Sequence, residues 1–165
     1  MKHTMIAALL ALLLLLLPLS AMCEERSPAQ AFADLMLSYD IGCTCHPADA
    51  SGSEYVTVPI DDESIGLQYA IRIRFDPSGE TAVLTVPDIF TFSDVQLDGV
   101  LRACNTLNCS FMYTRFIVNE LDRTVSVSLD LLLGRQDPLA VVFEAFERMH
   151  SIVREAYPSL IPFTS

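Results

Sequence analysis

Apolar residues recur at helical spacing in three stretches of the chain. The first begins after Ser27, which can cap a helix, with Pro28 in its first turn, and it is predicted to end near Gly42. The second opens with a capping pattern at Ser93, and the third begins with Asp137 as a cap followed by Pro138. The pattern predicts three amphipathic helices. Their approximate spans are residues 28–42, 93–108 and 138–157.

Alternation of apolar and polar residues predicts five strands. It is clearest in Leu67–Phe75, where tyrosine, isoleucine and phenylalanine alternate with a polar face that carries Arg72 and Arg74. The stretch 55–60 is predicted to be short or at a sheet edge, because Pro59 has no N–H to donate. Further strands are predicted at residues 81–86, 111–118 and 124–133, and residues 43–52 are predicted as a loop.

The predicted order of elements is α-β-β-β-α-β-β-α. Neighbouring strands joined by short turns form an antiparallel sheet, and the apolar sides of the helices have to be buried against it. We therefore expect an α+β fold with a five-stranded antiparallel sheet packed with helices. The length of 165 residues fits a single domain, predicted over residues 24–165.

The first 23 residues have the layout of a secretory signal peptide. Lys2 gives a basic start, residues 6–17 are continuously apolar, and Ala21 and Cys23 would stand at positions −3 and −1 of a cleavage site. We expect cleavage before Glu24 and a periplasmic or secreted protein. Two alternatives stay open: a lipoprotein anchored through Cys23, and an uncleaved anchor. A membrane is a partner only in these two cases.

The charge balance argues against nucleic acid as a partner. The chain carries 10 basic and 21 acidic residues, which gives a formal net charge of −11, and its single lysine is Lys2. A surface this negative repels phosphate backbones, which proteins bind by neutralising them with lysine and arginine. We therefore expect no nucleic acid among the partners.

Four cysteines lie in the predicted domain: Cys43, Cys45, Cys104 and Cys109. An even number of cysteines in an exported chain favours disulfides. A bridge between Cys43 and Cys45 would close a strained ring, so we expect these two to pair with Cys104 and Cys109. The alternative is a bridge between Cys104 and Cys109 that leaves the first pair free.

The cysteines and His46 also suggest a metal site. Thiolate and imidazole ligands suit a tetrahedral zinc ion, and Cys43, Cys45 and His46 are closely spaced, with Cys104 and Cys109 as further ligands. Export favours structural disulfides over a metal or redox site. We therefore expect neither a metal nor a cofactor.

Three other polar groups have simple interpretations. His150 follows the apolar side of the last helix and is interpreted as a residue at the edge of the core rather than a catalytic base. The acidic run 61–63 lacks the ligand spacing of a calcium loop and is interpreted as a solvated turn. Arg72 and Arg74 are expected to pair with nearby carboxylates; the alternative is that they mark a face where a partner lies.

The second half of the chain resembles a known family. Residues 95–108 read VQLDGVLRACNTLN, with Asn105 and Asn108 in an N-x-x-N pattern, and a predicted hairpin over residues 111–133 and a long amphipathic helix follow. This arrangement is similar to the YbjN family on the type III secretion chaperone-like fold. The resemblance implies that fold, a motif role for the two asparagines, and no catalytic residues. It also implies a link to regulation, and chaperones of that fold bind unfolded client segments as dimers.

The expected function combines this resemblance with the export signal. The family is cytoplasmic and has no paired cysteines, so a binding role outside the cytoplasm fits this chain better. We expect an exported, non-enzymatic YbjN-like domain that binds protein or peptide, in a chaperone-like or regulatory role, as a homodimer. The alternative is a thiol-disulfide or metal-handling protein that uses Cys43, Cys45 and His46.

Overall fold

The computed structural model describes residues 26–134 and 137–163, so the predicted signal peptide over residues 1–23 lies outside the described part. Within that part the protein has three α-helices, one six-stranded sheet and three short 3-10 turns. The elements are α1 (Pro28–Ser38), β1 (Thr44–His46), β2 (Glu54–Asp62), β3 (Leu67–Phe75), β4 (Thr81–Thr91), α2 (Leu97–Ser110), β5 (Thr114–Asn119), β6 (Thr124–Leu132) and α3 (Pro138–Ala156).

The sheet has the order β1-β2-β3-β4-β6-β5, and every neighbouring pair is antiparallel. The α+β class and the antiparallel sheet are therefore confirmed, whereas the predicted number of five strands is wrong. The additional strand is β1, which lies inside the segment predicted as a loop and pairs Cys45 with Val56. A three-residue strand is too short to show alternation, and it is defined by the strand beside it rather than by its own sequence.

Two helix starts have the predicted caps. Ser27 Oγ accepts a hydrogen bond from the Gln30 N–H at 3.3 Å, and Asp137 Oδ1 accepts one from the Leu139 N–H at 3.0 Å. These oxygens satisfy N–H groups that the first helical turn leaves without a helical partner.

Two helix ends differ from the prediction. The helix α1 ends at Ser38 rather than near Gly42, because Asp40 takes the left-handed conformation with φ 58°. Aspartate tolerates this conformation, which stops a helix as a glycine would. The helix α2 continues past the two asparagines to Ser110, since neither adopts a positive φ.

Prolines mark the irregular parts of two strands. The strand β2 is nine residues long, yet β1 pairs only with its first half, so Pro59 lies where β2 itself forms the edge of the sheet, as predicted for this residue. The strand β4 runs past the predicted end at residue 86, through Pro87 and a register shift between Val86 and Phe90. A bulge tolerates the missing N–H of a proline.

One face of the sheet is buried against the helices. From α1 and α3, Phe32, Met36, Met149 and Val153 are fully buried, and α1 also contacts α3. The helix α2 packs beside β5 and buries Cys104. Burying an apolar side chain of this size contributes about 1.5–3 kcal/mol. The strand residues of this face are Val56, Val58, Ile71, Ile73, Phe75, Ala82, Leu84, Val86, Val125, Val127, Leu129 and Phe116.

The chain returns to α2 after α3. The 3-10 turns Tyr157–Ser159 and Ile161–Phe163 bury Leu160 and bring Phe163 against Gly99. A Cβ atom at Gly99 would lie 2.5 Å from Phe163 Cε1, so this close approach requires a glycine. Among the described residues, no helix combines the length and the apolar character needed to cross a bilayer.

Candidate functional site

The second face of the sheet, here called the open face, has no helix of the described residues packed on it. Its side chains alternate with the buried ones, and most are exposed or half-buried. Pairing across the strands aligns them in rows that run over the whole sheet. One row, with one residue from each strand, consists of Thr44, Thr57, Arg72, Thr85, Ser128 and Arg115.

The neighbouring row carries aromatic and charged groups. It consists of His46, Tyr55, Arg74, Val83 and Asp130. The centre of the open face is therefore lined by hydroxyl groups and guanidinium groups, and Asp130 forms an ion pair with Arg115 at the β5 end of the two rows.

A stack of three side chains stands at the β1 end of the open face. The rings of His46 and Tyr55 lie 4.2 Å apart between centroids with an angle of 13°, and Arg72 Cζ lies 5.4 Å from the Tyr55 centroid. His46 Nε2 is also 3.2 Å from Thr57 Oγ1. A guanidinium within about 6 Å of an aromatic centroid is attracted by the ring. Tyr55 therefore links the imidazole of β1 to the guanidinium of β3.

The expected pairing of Arg72 and Arg74 with nearby carboxylates is not found. Neither has a carboxylate within 4.0 Å among residues 26–134 and 137–163, whereas Arg26, Arg115 and Arg123 each form such an ion pair. The reason is the register, which places Thr57, Thr85, Tyr55 and Val83 beside the two arginines. Two exposed cations two residues apart on one strand are thus left without an ion-pair partner among the described residues.

The expected disulfides are not formed in the structure. All four described cysteines are free. Cys43 and Cys45 lie at the β1 edge, whereas Cys104 and Cys109 lie on α2, which packs beside β5 at the opposite edge. Five strand spacings separate these edges, about 24 Å along the sheet, and a disulfide requires Cα atoms within about 7 Å. Bridges between the two pairs are incompatible with this topology.

The alternative bridge between Cys104 and Cys109 fails for a different reason. Both residues belong to α2 and are five positions apart, which separates their Cα atoms by about 8–9 Å in a regular helix. Burial raises the pKa of the Cys104 thiol to about 11. This cysteine is therefore a protonated, apolar core residue.

Cys43, Cys45 and His46 do not form one site. In β1, Cys45 pairs with the buried Val56, whereas His46 stands on the open face beside Tyr55, because successive strand residues point to opposite faces. Burial raises the pKa of both thiols, and the negative charges of nearby Asp34 and Glu54 raise the pKa of Cys45 further. The described residues contain no group of three or more histidine, cysteine or acidic side chains arranged to hold a metal ion.

The two motif asparagines have different surroundings. Asn108 Oδ1 accepts a hydrogen bond from the Phe116 N–H at 2.7 Å, and its Nδ2 donates to the Phe116 carbonyl at 3.2 Å. The amide thus occupies the outer backbone edge of β5, where a further strand would pair. Asn105 is exposed on the same helix.

A His–Asp–Tyr arrangement lies at the end of the core. His150 Nδ1 is 2.7 Å from Tyr69 Oη, and Nε2 is 3.8 Å from Asp62 Oδ2. Burial and the charge of Asp62 raise the pKa of Tyr69, and hydrogen bonds from Ser64 lower the pKa of Asp62. Asp62 is 8% exposed, so one residue of the acidic run is buried rather than solvated, because it ends β2 on the core face. His150 Nδ1 is therefore engaged by the Tyr69 hydroxyl, whereas Nε2 faces the Asp62 carboxylate beyond hydrogen-bond distance.

Sequence reasoning missed the partners of the two arginines. Alternation within β3 predicts a polar face with Arg72 and Arg74, but Tyr55 and Thr57 join them only through the register of β2, and His46 only through the unpredicted β1.

Comparison of the chain with family models, with curated proteins and with solved structures finds no match.

Proposed function

We propose that the chain is a non-enzymatic binding domain whose open face takes an extended, acidic segment of another protein. The observation that carries the proposal is the pair of exposed cations, Arg72 and Arg74, which lack a carboxylate within 4.0 Å on a face that no described helix covers. A hydroxyl-lined face whose Arg72 and Arg74 have no ion-pair partner among the described residues suits a carboxylate-bearing polypeptide.

The size of the open face fits a short segment. The strand β3 spans nine residues, Leu67–Phe75, which is about 30 Å at about 3.4 Å per residue. An extended segment of similar length can lie along β3 over the open face.

The sign of the charge argues for an acidic partner. The chain as a whole has a formal net charge of −11, yet the two rows of the open face carry Arg72, Arg74 and Arg115 against Asp130. Local complementarity of this kind orients a partner and speeds its association more than it adds raw affinity.

We also propose that the protein is an exported, YbjN-like variant of the type III secretion chaperone-like fold. Its support is the resemblance of residues 95–133 and the order of the longer elements, once β1 is set aside. Chaperones of that fold bind unfolded segments of clients, which agrees with an open peptide-binding face. We propose a periplasmic or secreted location because residues 1–23 have the layout of a signal peptide, with the lipid anchor at Cys23 as the alternative.

We propose that the homodimer forms through the exposed side of α2. Asn108 occupies the outer backbone of β5 at Phe116, so a continuous sheet across that edge is disfavoured. The exposed side of α2 leaves the open face free for the partner segment. A dimer that buries the open face would contradict the proposed function.

Peptide selection tests the function. We expect displayed random twelve-residue peptides, selected against the folded protein, to bind in fluorescence anisotropy, and Thr85→Glu to weaken their binding at least tenfold, since Thr85 lies in the middle strands of the open face. The matched control is Ser151→Glu, which adds the same charge on an exposed position of α3.

The outcomes separate binding from misfolding. Amide chemical shifts of the native protein, which need no variant, should change on β3, β4 and β6 when a selected peptide is added. The proposal is overturned if no peptide binds, if both variants bind equally well, or if Thr85→Glu converts a native dimer into a monomer, since a second copy would then occupy the face.

A further inference from the structure

The β1–β3 part of the open face contains an ordered group of donors. His46 is held between Thr57 and Tyr55, with its Nε2 3.2 Å from the threonine hydroxyl. The Arg72 guanidinium lies over the Tyr55 ring, with Cζ 5.4 Å from the ring centroid. The stack restricts the arginine side chain before any ligand arrives, which lowers the entropy lost on binding.

The nearest acidic loop does not neutralise this group. Asp49 acts at a distance on Arg74, but its Oδ1 accepts hydrogen bonds from the backbone N–H groups of Ser51 at 2.8 Å and Ser53 at 3.2 Å. The hydrogen bonds from Ser51 are the main reason that the pKa of Asp49 is lowered, and Arg74 is the least of the causes. The Asp49 carboxylate is therefore held by hydrogen bonds within its own turn rather than by an ion pair with Arg74.

The spacing of the two arginines defines the ligand. Arg72 and Arg74 lie two residues apart on β3, so both point to the open face about 7 Å from each other. Two acidic side chains at alternate positions of an extended segment have the same spacing and also point to one side. Each guanidinium can hold one carboxylate through two parallel hydrogen bonds.

We infer that Arg72 and Arg74, with Arg72 positioned by the His46–Tyr55 stack, form a subsite for two carboxylates at alternate positions of an extended peptide. This inference rests on the proposed function, because it names the chemical pattern of the segment that the open face takes. Tyr55 is a positioning residue in this subsite and the two arginines contact the ligand.

Three synthetic peptides test the subsite. The first alternates threonine and glutamate over ten residues, the second replaces glutamate by glutamine, and the third groups the same glutamates in one block. In fluorescence anisotropy with the full chain, we expect the alternating acidic peptide to bind at least tenfold more tightly than the glutamine peptide and at least threefold more tightly than the block peptide. Added salt should weaken its binding, since the contacts are ionic and exposed.

Variants identify the residues. Arg72→Gln and Arg74→Gln should each weaken binding of the alternating peptide at least fivefold, whereas Arg148→Gln, an exposed arginine on α3, should leave it within twofold. All three positions are exposed, so we expect the three variants to keep the native fold. Equal loss in all three variants would mean that overall charge drives binding, and would overturn the subsite.

Failure of the subsite differs from failure of the function. If the alternating acidic peptide binds no better than the glutamine peptide while selected peptides still depend on Thr85, the subsite is wrong and the binding face stands. If selected peptides also ignore the Thr85→Glu change, the proposed function is wrong, and the subsite fails with it.

Discussion

The Asn108 amide supplies one donor and one acceptor to the outer edge of β5. A strand at the edge of a sheet exposes backbone groups that pair readily with other chains. Because Oδ1 and Nδ2 bond the N–H and the carbonyl of the same residue, Phe116, the side chain takes the place of a neighbouring strand. It also fixes the end of α2 against the sheet.

We expect Asn108→Ala to lower the free energy of unfolding by about 1–3 kcal/mol, since two hydrogen bonds at about 0.5–1.5 kcal/mol each are lost. The matched control is Asn105→Ala on the same helix, where an exposed side chain is removed and the change should stay within about 0.5 kcal/mol. Urea denaturation measures both. Equal effects of the two changes would show that the amide clamp does not stabilise the edge.

Single residues also show how far the sequence predicts the candidate site. Arg72 and Arg74 are placed on a polar face by the alternation of β3 alone. Arg72 and Arg74 have no carboxylate beside them because the strand register places neutral residues there, such as Thr57 and Thr85 next to Arg72. The local sequence pattern of β3 does not contain this register. The simple expectation of surface ion pairs therefore fails at the two residues on which the binding proposal depends.

At the scale of elements, α2 packs against the end of the described chain through Gly99 and Phe163. Gly99 lies inside α2, where alanine would stabilise the helix by about 0.5–1 kcal/mol relative to glycine. The glycine leaves room for the ring of Phe163, which lies where a Cβ would stand. The glycine therefore lowers the intrinsic stability of α2, but it allows the final 3-10 turn to pack against this helix.

A double-mutant cycle tests this exchange. In the Phe163→Ala background, Gly99→Ala should stabilise the protein by about 0.5–1 kcal/mol, because only the helix propensity changes. In the native background the same change should give a smaller gain or a loss, since the ring has to move. Urea denaturation of the four proteins gives the coupling. A coupling energy near zero would show that Phe163 does not pack on Gly99 in solution.

Elements differ in how well the sequence defines them. The strand β3 and the helix α3 match their predicted spans because their signals are local: alternation over nine residues in one, and a capped start with a long apolar stripe in the other. The strand β1 has no such signal, since its three residues become a strand only beside β2. Because the sequence does not predict β1, it predicts neither the true edge of the sheet nor the position of His46 on the open face.

At the scale of the molecule, the sheet order controls the sulfur chemistry. The cysteine count alone favours bridges between the two pairs, but the order β1-β2-β3-β4-β6-β5 sends the pairs to opposite edges. The strand order therefore decides which cysteines lie near each other, and an even number of cysteines does not. The proposed binding role therefore rests on the open face and needs no disulfide.

Peptide mapping under non-reducing conditions tests the separation of the cysteines. Trypsin cuts after Arg26, Arg72, Arg102 and Arg115, which isolates Cys43 and Cys45 in residues 27–72 and Cys104 and Cys109 in residues 103–115. We expect no cross-linked peptide from the folded protein, because edges about 24 Å apart cannot be bridged. The chain oxidised after unfolding is the control, in which cross-links form and show that the assay detects them. A quantitative link between the two peptides in folded protein would mean that α2 does not lie beside β5, and the open face would have to be redrawn.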